Sequence, residues 1–305
     1  MYLDESDLYL ILLKESRLFS DSQLMKIYQK FGNFKIAYNS SLENFISKDE
    51  KLDKLRTFLK DKDQVNEKIK KINDGLIINE IHFLSYFNSN YPEPLKSLSN
   101  PPIGIFFKGE LNSEDINKSI SIIGTRDPSF FGHTKARSIA RELAKQGYTI
   151  ISGLARGIDL EAHIGALEGG GKTIAILGSP IKKIYPREHN NLVNDILSNG
   201  AIISEFLGES TMRKYDLVNR NRIIAALSIA SLIIEGTLSS GTRYEVNYAK
   251  KLKKMIFTLR PKDRENKISQ LPISLIEEGN LPINSTNDIL NYLRKNKRKD
   301  ITSFM

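Results

Sequence analysis

Five loops along the chain combine glycine with arginine or small hydroxyl residues, and each follows a short apolar run. They lie at residues 124–126, 152–159, 178–187, 204–222 and 235–242. Glycine lets backbone N–H groups approach an oxyanion, and a helix start adds a partial positive charge. Arg126, Arg220 and Arg222 could add planar donors that match a phosphate. Any one loop could be a tight connection without a ligand, but five together predict a site for a nucleotide or a nucleic-acid backbone.

The sequence gives less support to other kinds of binding or catalytic site. Residues 169–173 end like a phosphate-binding P-loop, but Ala166 stands where the first glycine belongs, and a predicted helix, not a strand, comes before. No dinucleotide-binding glycine pattern follows the first strand, and the four histidines lack metal-ligand spacing. We therefore predict neither a cofactor nor a metal. Glu235 and Glu245 are the two acids that would act if the protein were an enzyme.

The elements that must position these loops begin at residue 118, where apolar runs alternate with helical segments. The runs lie at 120–123, 148–151, 173–177, 201–203, 232–234 and 255–259. They lack polar alternation, as strands buried on both faces do. This order predicts an α/β fold with a Rossmann-like, doubly wound, mostly parallel sheet. Ligands of such sheets bind outside the carboxyl ends of the strands, so the five loops should share one edge.

Four regions are predicted along the chain. Residues 1–75 are expected to form a small all-helical domain, SAM-like or helix-hairpin-helix-like, whose helices either only pack or contact DNA. Residues 76–117 form a proline-rich connector and edge strand, and residues 118–290 the Rossmann-like domain. Residues 291–305 form a basic C-terminal tail, which is either a solvated helix end or a nucleic-acid contact.

Composition narrows the class of protein. The 305 residues, 40% of them hydrophobic and 27% charged, have room for one large domain and a smaller partner. No apolar run approaches the ~18 residues of a membrane span, and the acidic N-terminus is unlike a signal peptide. The chain has no cysteine, which excludes disulfides and thiolate chemistry. We expect a cytoplasmic protein with no membrane association, and its net charge of +9 favours an anionic partner.

At these loops the sequence resembles the DprA/Smf family of DNA-processing proteins. The resemblance spans roughly residues 85–250, with weaker likeness before and after, and the motifs stand in the family's order. They are Gly124-Thr125-Arg126, residues 152–159 with 162–167, residues 173–178, Tyr185-Pro186, Ser204-Glu205 and residues 220–228, preceded by a lead-in at Tyr91-Pro92 and Pro101-Pro102. Several ordered motifs are more specific than any one alone.

The resemblance implies an extended Rossmann fold that binds single-stranded DNA with little sequence preference. It also implies a non-enzymatic homodimer that protects strands in natural transformation and loads a RecA-type recombinase in DNA recombination. We expect the short form of the family, without a winged-helix domain, and Arg220 as the direct contact of its motif. The residues carried over as DNA-binding or phosphate-binding are Gly124, Thr125, Arg126, Ser152, Gly153, Arg156, Gly157, Gly178, Lys182, Lys183, Arg220, Asn221, Arg222, Ser240, Gly241 and Thr242.

Two departures from the family pattern leave alternatives open. Leu217-Val218 stands where the family has Phe-Pro, which removes a ring that could stack on a base. Residues 241–245 resemble the Gly-Thr-x-x-Glu of LOG phosphoribohydrolases, although Leu238-Ser239-Ser240 replaces the glycines that precede that motif. The alternative functions are therefore a nucleoside-monophosphate phosphoribohydrolase, which cleaves an N-glycosidic bond, or a nucleotide sensor.

Overall fold

The computed structural model of the chain describes residues 3–40, 42–45, 53–54, 62–208 and 214–302, and its contacts divide the chain into two compact units. Of the described residues, the first unit takes those of Met1–Lys108, Pro180–Lys182 and Ser204–Thr211. The second takes those of Gly109–Ser179, Lys183–Ile203 and Met212–Met305. The predicted boundaries after residues 75, 117 and 290 stay predictions.

The first unit is mainly helical. Its elements are α1 (Glu5–Glu15), α2 (Asp21–Phe31), α3 (Phe34–Tyr38), a 3-10 turn (Glu43–Phe45), α4 (Lys62–Ile78), β1 (His82–Ser85), α5 (Glu93–Lys96) and β2 (Gly104–Gly109). β1 pairs with β2 in antiparallel register, with Phe83 opposite Phe106. Part of the all-helical domain predicted over residues 1–75 lies outside the described residues.

The start and end of α2 follow from its sequence. Ser20 caps the helix in a capping box, because Gln23 N donates to the Ser20 hydroxyl and Ser20 N donates to Gln23 Oε1. Gly32, with φ 67°, ends α2 by donating to Tyr28 O at 2.7 Å. The caps set where α2 begins and ends, and Leu24 and Ile27, three residues apart on one face, are buried.

The second unit is built around a sheet whose strands alternate with helices. In chain order the elements are α6 (Ser113–Asn117), β3 (Ser119–Ile123), α7 (Phe130–Lys145), β4 (Thr149–Ser152), α8 (Ile158–Glu168), β5 (Thr173–Leu177), α9 (Asn190–Leu197), β6 (Ala201–Ser204), α10 (Lys214–Asn219), α11 (Asn221–Leu227), β7 (Ala230–Ile233), α12 (Thr242–Lys251), β8 (Met255–Leu259), α13 (Gln270–Glu277), β9 (Leu281–Ile283) and α14 (Thr286–Thr302).

The strand order contains a topological switch point. Across the sheet the strands run β6-β5-β4-β3-β7-β8-β9, and β3 pairs in parallel with both β4 and β7. The chain therefore leaves β3 toward one side through β4, β5 and β6, and continues on the other side from β7. Such a reversal separates the loops after the two adjacent strands and opens a crevice between them.

Alternate residues of the central strands face opposite layers of helices. Ile120 and Ile122 of β3 join a buried apolar cluster with residues of α7, α8 and α14. Ser121, which points the other way along the strand, meets Glu245 of α12. The sheet is thus covered on both faces, and the prediction of a Rossmann-like α/β fold preceded by a small helical region is confirmed. In the described residues we find no helix with the length and apolarity to cross a bilayer.

Candidate functional site

A cavity of about 720 Å³ opens at the switch point, within the second unit. Its volume falls in the range of about 300–1,000 Å³ that is typical of ligand sites. The loops after β3, β4 and β7 contribute to its wall, together with the α10–α11 segment and Tyr185. Half of the residues predicted to bind phosphate line it, namely Gly124, Thr125, Arg126, Arg220, Asn221, Ser240, Gly241 and Thr242. We call it the switch-point cavity.

Arg126 is the cation that the switch-point cavity offers to a ligand. Its side chain is exposed, lines the cavity, and makes no hydrogen bond or ion pair with any residue that the structure describes. The backbone below it is fixed, because Thr125 N donates to Glu235 O at 2.8 Å and Thr125 O accepts from Ile158 N at 3.2 Å. Arg126 therefore combines an anchored backbone with a free guanidinium.

Arg220 lines the same cavity, but most of its donors are already engaged. Nη1 donates to the carbonyl oxygens of Gly153 and Ile176, and Nε donates to Asn221 Oδ1 at 2.9 Å. Nη2 lies 3.5 Å from Asp159 Oδ2, and the residue is only 7% exposed. Burial lowers the pKa of the guanidinium, but its ordinary value is so high that it stays charged. Arg220 holds the cavity wall, and its predicted role in binding DNA stays a prediction.

Gly153 is required beneath this arginine. A Cβ built on Gly153 would lie 2.0 Å from both terminal nitrogens of Arg220, so an alanine there would force the guanidinium away from its present partners. Ser152, just before it, is completely buried and donates its hydroxyl to Ile122 O at 2.6 Å. The Ser-Gly pair predicted to bind phosphate thus packs against protein atoms.

Asp159, at the start of α8, pairs with Arg220, a cation that the sequence pattern assigned to a ligand. Burial raises the pKa of its carboxyl, while the charge of Arg220 opposes that rise. Part of the positive charge predicted for phosphate is therefore already engaged by a carboxylate. Sequence reasoning left Asp159 out of the binding site; the signal was an acid placed inside an arginine-containing loop.

Gly157 joins the loops after β3 and β4. It has φ 76° and ψ −126°, a conformation that is open only to glycine, and a Cβ there would lie 2.5 Å from Thr125 O. The close approach allows Ile158 N to donate to Thr125 O. Gly157 contributes to the site by this packing.

The N-terminal end of α12 forms another part of the cavity wall. No side chain caps this helix, and Asn221 Nδ2 holds the carbonyl of Gly241 at 3.0 Å. Thr242 is 6% exposed, and its hydroxyl has no partner among the described residues, while Ser240 Oγ is buried and also unpartnered. Two unpartnered hydroxyls beside the partial positive charge of a helix N-terminus favour the binding of an anion.

The remaining predicted residues lie apart from this wall. Arg222 is 2% exposed on α11. Gly178 and Arg156 line a smaller cavity of about 70 Å³ that shares Arg126, Tyr185 and Arg220 with the larger one, and Arg156 Nε donates to Glu188 at 2.5 Å.

The two lysines fall in different units. Lys183 is exposed in the second unit and has no partner among the described residues. Lys182 belongs to the first unit, where its chain passes Gly208. In the predicted basic tail, the side chains beyond residue 295 lie outside the described ones.

Neither candidate catalytic acid faces the cavity. Glu235 accepts from Ser129 N at 2.9 Å and from Ser129 Oγ at 2.6 Å, and so holds the start of α7. Glu245 is completely buried, and its Oε1 accepts from Ser121 Oγ at 3.0 Å and from Ser231 Oγ at 2.5 Å. Burial raises the pKa of Glu245 to about 7, against the effect of these hydroxyls. Among the described residues, no cluster of histidines and acids could hold a metal.

Comparison with known proteins gives a consistent family match. Residues 82–294 match the model of the family described as DNA recombination-mediator protein A. The chain is 35% identical to protein Smf of Synechocystis over 211 residues, which are 68% of this chain and 53% of that protein. It is 30% identical to DNA processing protein DprA of Bacillus subtilis over 213 residues, 70% of this chain and 71% of the relative. The chain thus spans little more than half the length of the Synechocystis protein.

Solved structures agree with the match. DNA processing protein A of Streptococcus pneumoniae superposes with a TM-score of 0.72 at 25% identity, covering 95% of this chain and 98% of that one. DNA processing protein A of Helicobacter pylori, whose structure concerns its single-stranded DNA binding mode, gives a TM-score of 0.63 at 29% identity over 71% of this chain and 97% of that one.

Proposed function

Because the chain belongs to the DNA recombination-mediator protein A family, we propose that it is a DNA-processing protein that binds single-stranded DNA at the switch-point cavity. The observation that carries the proposal is Arg126, an exposed guanidinium without a partner among the described residues, on the rim of a cavity that also holds the unpartnered hydroxyls of Ser240 and Thr242. These groups donate hydrogen bonds and would attract a phosphate.

A preference for single strands follows from the form of the site. The donors stand in a recess, which a flexible strand can enter by bending one phosphate inward. A duplex presents its phosphates on a stiff cylinder and enters a recess less easily. Contacts to phosphate carry no sequence information, so we propose binding that is largely independent of sequence. The similar protein from Helicobacter pylori has a single-stranded DNA binding mode, which supports the proposed binding of single strands.

The broader role is also a proposal. We infer that the bound strand is protected and passed to a RecA-type recombinase during DNA uptake or recombination, by a homodimer without catalytic activity of its own. The family description as a recombination mediator supports the first part. Sedimentation of the purified chain measures the dimer, and strand exchange by a RecA-type recombinase, with and without this protein, measures the mediator activity.

The test of DNA binding is fluorescence anisotropy of a labelled oligothymidylate, compared with a duplex of equal length. We expect the single strand to bind more tightly, and Arg126→Ala to weaken binding by about tenfold or more, because a charge-assisted contact contributes roughly 1.5–3 kcal/mol. The matched control is Arg137→Ala, which removes the same charge from α7, where Arg137 is already paired with Glu168.

Two outcomes would contradict the proposal. One is the absence of single-strand binding even at low salt. The other is an equal loss of affinity in Arg126→Ala and Arg137→Ala, which would mean that only net charge matters and that the switch-point cavity has no special part.

The geometry does not favour the nucleotide-hydrolase alternative. Glu245 would have to reach an N-glycosidic bond, yet its carboxylate is buried between β3 and β7 on Ser121 and Ser231. Incubation with the common nucleoside monophosphates, followed by chromatography for free base, tests this directly. We expect no release, and release that Glu245→Gln abolishes would make the protein an enzyme.

A further inference from the structure

Large exposed apolar side chains of the second unit gather on one edge of its sheet. Six such residues are found among the described ones: Phe130, Tyr185, Tyr215, Leu238, Tyr244 and Tyr292. All except Tyr292 lie on a segment that follows the carboxyl end of a strand, before or within the first turn of the next helix. The loops at the opposite edge of the sheet carry none of them. Scattered exposed apolar residues are ordinary, but confinement to the edge that holds the cavity is not.

The aromatic residues at this edge extend beyond the switch-point cavity. Tyr185 lines the cavity, whereas Phe130, Tyr215 and Tyr244 do not. Their exposed fractions are 87%, 69% and 52%. Phe130 begins α7 after β3, Tyr215 lies in α10 after β6, and Tyr244 lies in the first turn of α12 after β7. The three rings thus lie on segments that follow three different strands at the carboxyl edge.

Cations alternate with these rings along the sequence. Lys183 and Arg187 flank Tyr185, and Arg243 precedes Tyr244. Like Arg126, which precedes Phe130 by four residues, these three cations are exposed and have no ion-pair partner among the described residues. Exposed carboxylates are present too, but Glu188 is already paired with Arg156. An edge that presents free cations between exposed rings is complementary to a chain of phosphates and unpaired bases.

We propose that Phe130, Tyr215 and Tyr244 form a stacking track for the bases of a single strand on either side of the switch-point cavity. This inference rests on the proposed binding of single-stranded DNA and adds the groups that hold the bases. Every base has a π-face, so stacking discriminates against duplex, where the bases are hidden, without reading their sequence. The track also supplies rings in a chain whose Leu217 and Val218 have none.

The experiment uses two labelled oligonucleotides of equal length, an oligothymidylate and an oligonucleotide with abasic sites along its whole length. Both carry the same phosphates, and only the first can stack. The wild-type protein is expected to bind the abasic strand at least about tenfold more weakly, since one stacked base accounts for a factor of about tenfold or more. In the triple variant Phe130→Ala, Tyr215→Ala, Tyr244→Ala, the thymidine strand should bind no better than the abasic one.

Controls separate stacking from general damage. Tyr215→Phe and Tyr244→Phe keep the ring and should retain the preference for bases, while Tyr292→Ala removes a ring of α14 that lies away from this edge and should leave the preference for thymidine unchanged. Circular dichroism of each variant verifies the fold, which surface truncations should not disturb.

The experiment distinguishes an error in the stacking track from an error in the proposed function. If the wild-type protein binds the two strands equally, or the triple variant keeps its preference for thymidine, the track is wrong although DNA binding stands. If neither strand binds to the wild-type protein, the proposed function itself fails.

Discussion

Arg126 and Arg220 carry the same charge on the same cavity wall, yet they stand in opposite surroundings. Arg126 is exposed and unpaired among the described residues, whereas Arg220 is buried against Asp159 and two carbonyl groups. Removing a buried charge leaves its partner without compensation, and this costs more free energy than the pair itself contributes. The two arginines should therefore respond differently to mutation.

We predict that Arg220→Ala lowers the free energy of unfolding by about 3–5 kcal/mol, because Asp159 would be left buried and unpaired. Arg126→Ala should change it by less than about 0.5 kcal/mol, as expected for a surface residue. Urea denaturation of both variants measures the difference. If the two variants unfold with equal free energies, Arg220 is not a structural residue. Any weaker DNA binding by Arg220→Ala would then report on a contact with DNA alone.

Glu245 should make the free energy of unfolding depend on pH. Its folded pKa of about 7 lies above the ordinary value of 4.5, so the native state holds a proton that the unfolded state releases between these values. The contribution of Glu245 to the free energy of unfolding is therefore largest below pH 4.5. It falls as the pH rises toward about 7, by an amount on the order of 3 kcal/mol, and is constant above that.

Glu245→Gln should remove this fall, and the measurement is the slope of unfolding free energy against pH for the variant minus that for the wild-type protein. Only the slope is diagnostic, because the amide also introduces a buried N–H group with its own cost. Parallel curves would mean that the acid titrates normally in the fold.

At the scale of elements, the loops after β3 and β4 act as one structure because Gly157 lets their backbones touch. Gly157→Ala puts a methyl group 2.5 Å from Thr125 O at a φ of 76°. We expect a loss of about 1–3 kcal/mol in stability and weaker binding of single-stranded DNA, since the loop displaced is the one that carries Arg126.

Gly241→Ala provides the comparison for Gly157→Ala. Its Cβ would meet nothing within 4 Å, and its φ of −58° suits any residue, so stability should hardly change. Thermal denaturation of the two variants, followed by anisotropy, tests this pair. If both variants unfold at the wild-type temperature, Gly157 does not hold the loops together.

The elements could be predicted well from sequence, because strands buried on both faces are mainly apolar, as β3 and β5 are. The position of the cavity followed from the rule for carboxyl ends. The burial of Arg220 and Arg222 could not be predicted, since an arginine near glycine has the same pattern whether it faces a phosphate or a carbonyl. Nor could the pairing of Arg220 with Asp159, which depends on where α8 begins. The exposure of Phe130, Tyr215 and Tyr244 could not be predicted either, because an isolated aromatic residue has the same sequence pattern whether its ring is buried or exposed.

At the scale of the whole molecule, the cations available to bind phosphate are those that have no ion-pair partner within the protein. The chain carries a net +9, but in the second unit the exposed cations Arg126, Lys183, Arg187 and Arg243 at the carboxyl edge have no ion-pair partner among the described residues. If each neutralises one phosphate, the logarithm of the association constant should fall with the logarithm of salt concentration with a slope of about −3, at about −0.7 for each contact with a single strand.

A salt series with the wild-type protein and with each single alanine variant measures this slope. Every substitution should make it shallower by about 0.7. A slope near zero would mean that phosphates are not the main contacts. A much steeper one would mean that cations elsewhere, such as those of the first unit or the C-terminal tail, share in binding.

The engagement of Arg220 by Asp159 and two backbone carbonyl groups has a consequence for how a strand would move. A phosphate seated on a buried, fixed arginine has one preferred register and leaves it slowly. Here the protein's own oxygen atoms engage that arginine, and a strand would be held mainly by long, rotatable side chains. Such a grip can pass from one phosphate to the next without letting go, so the strand would slide through the site and could be displaced stepwise from one end.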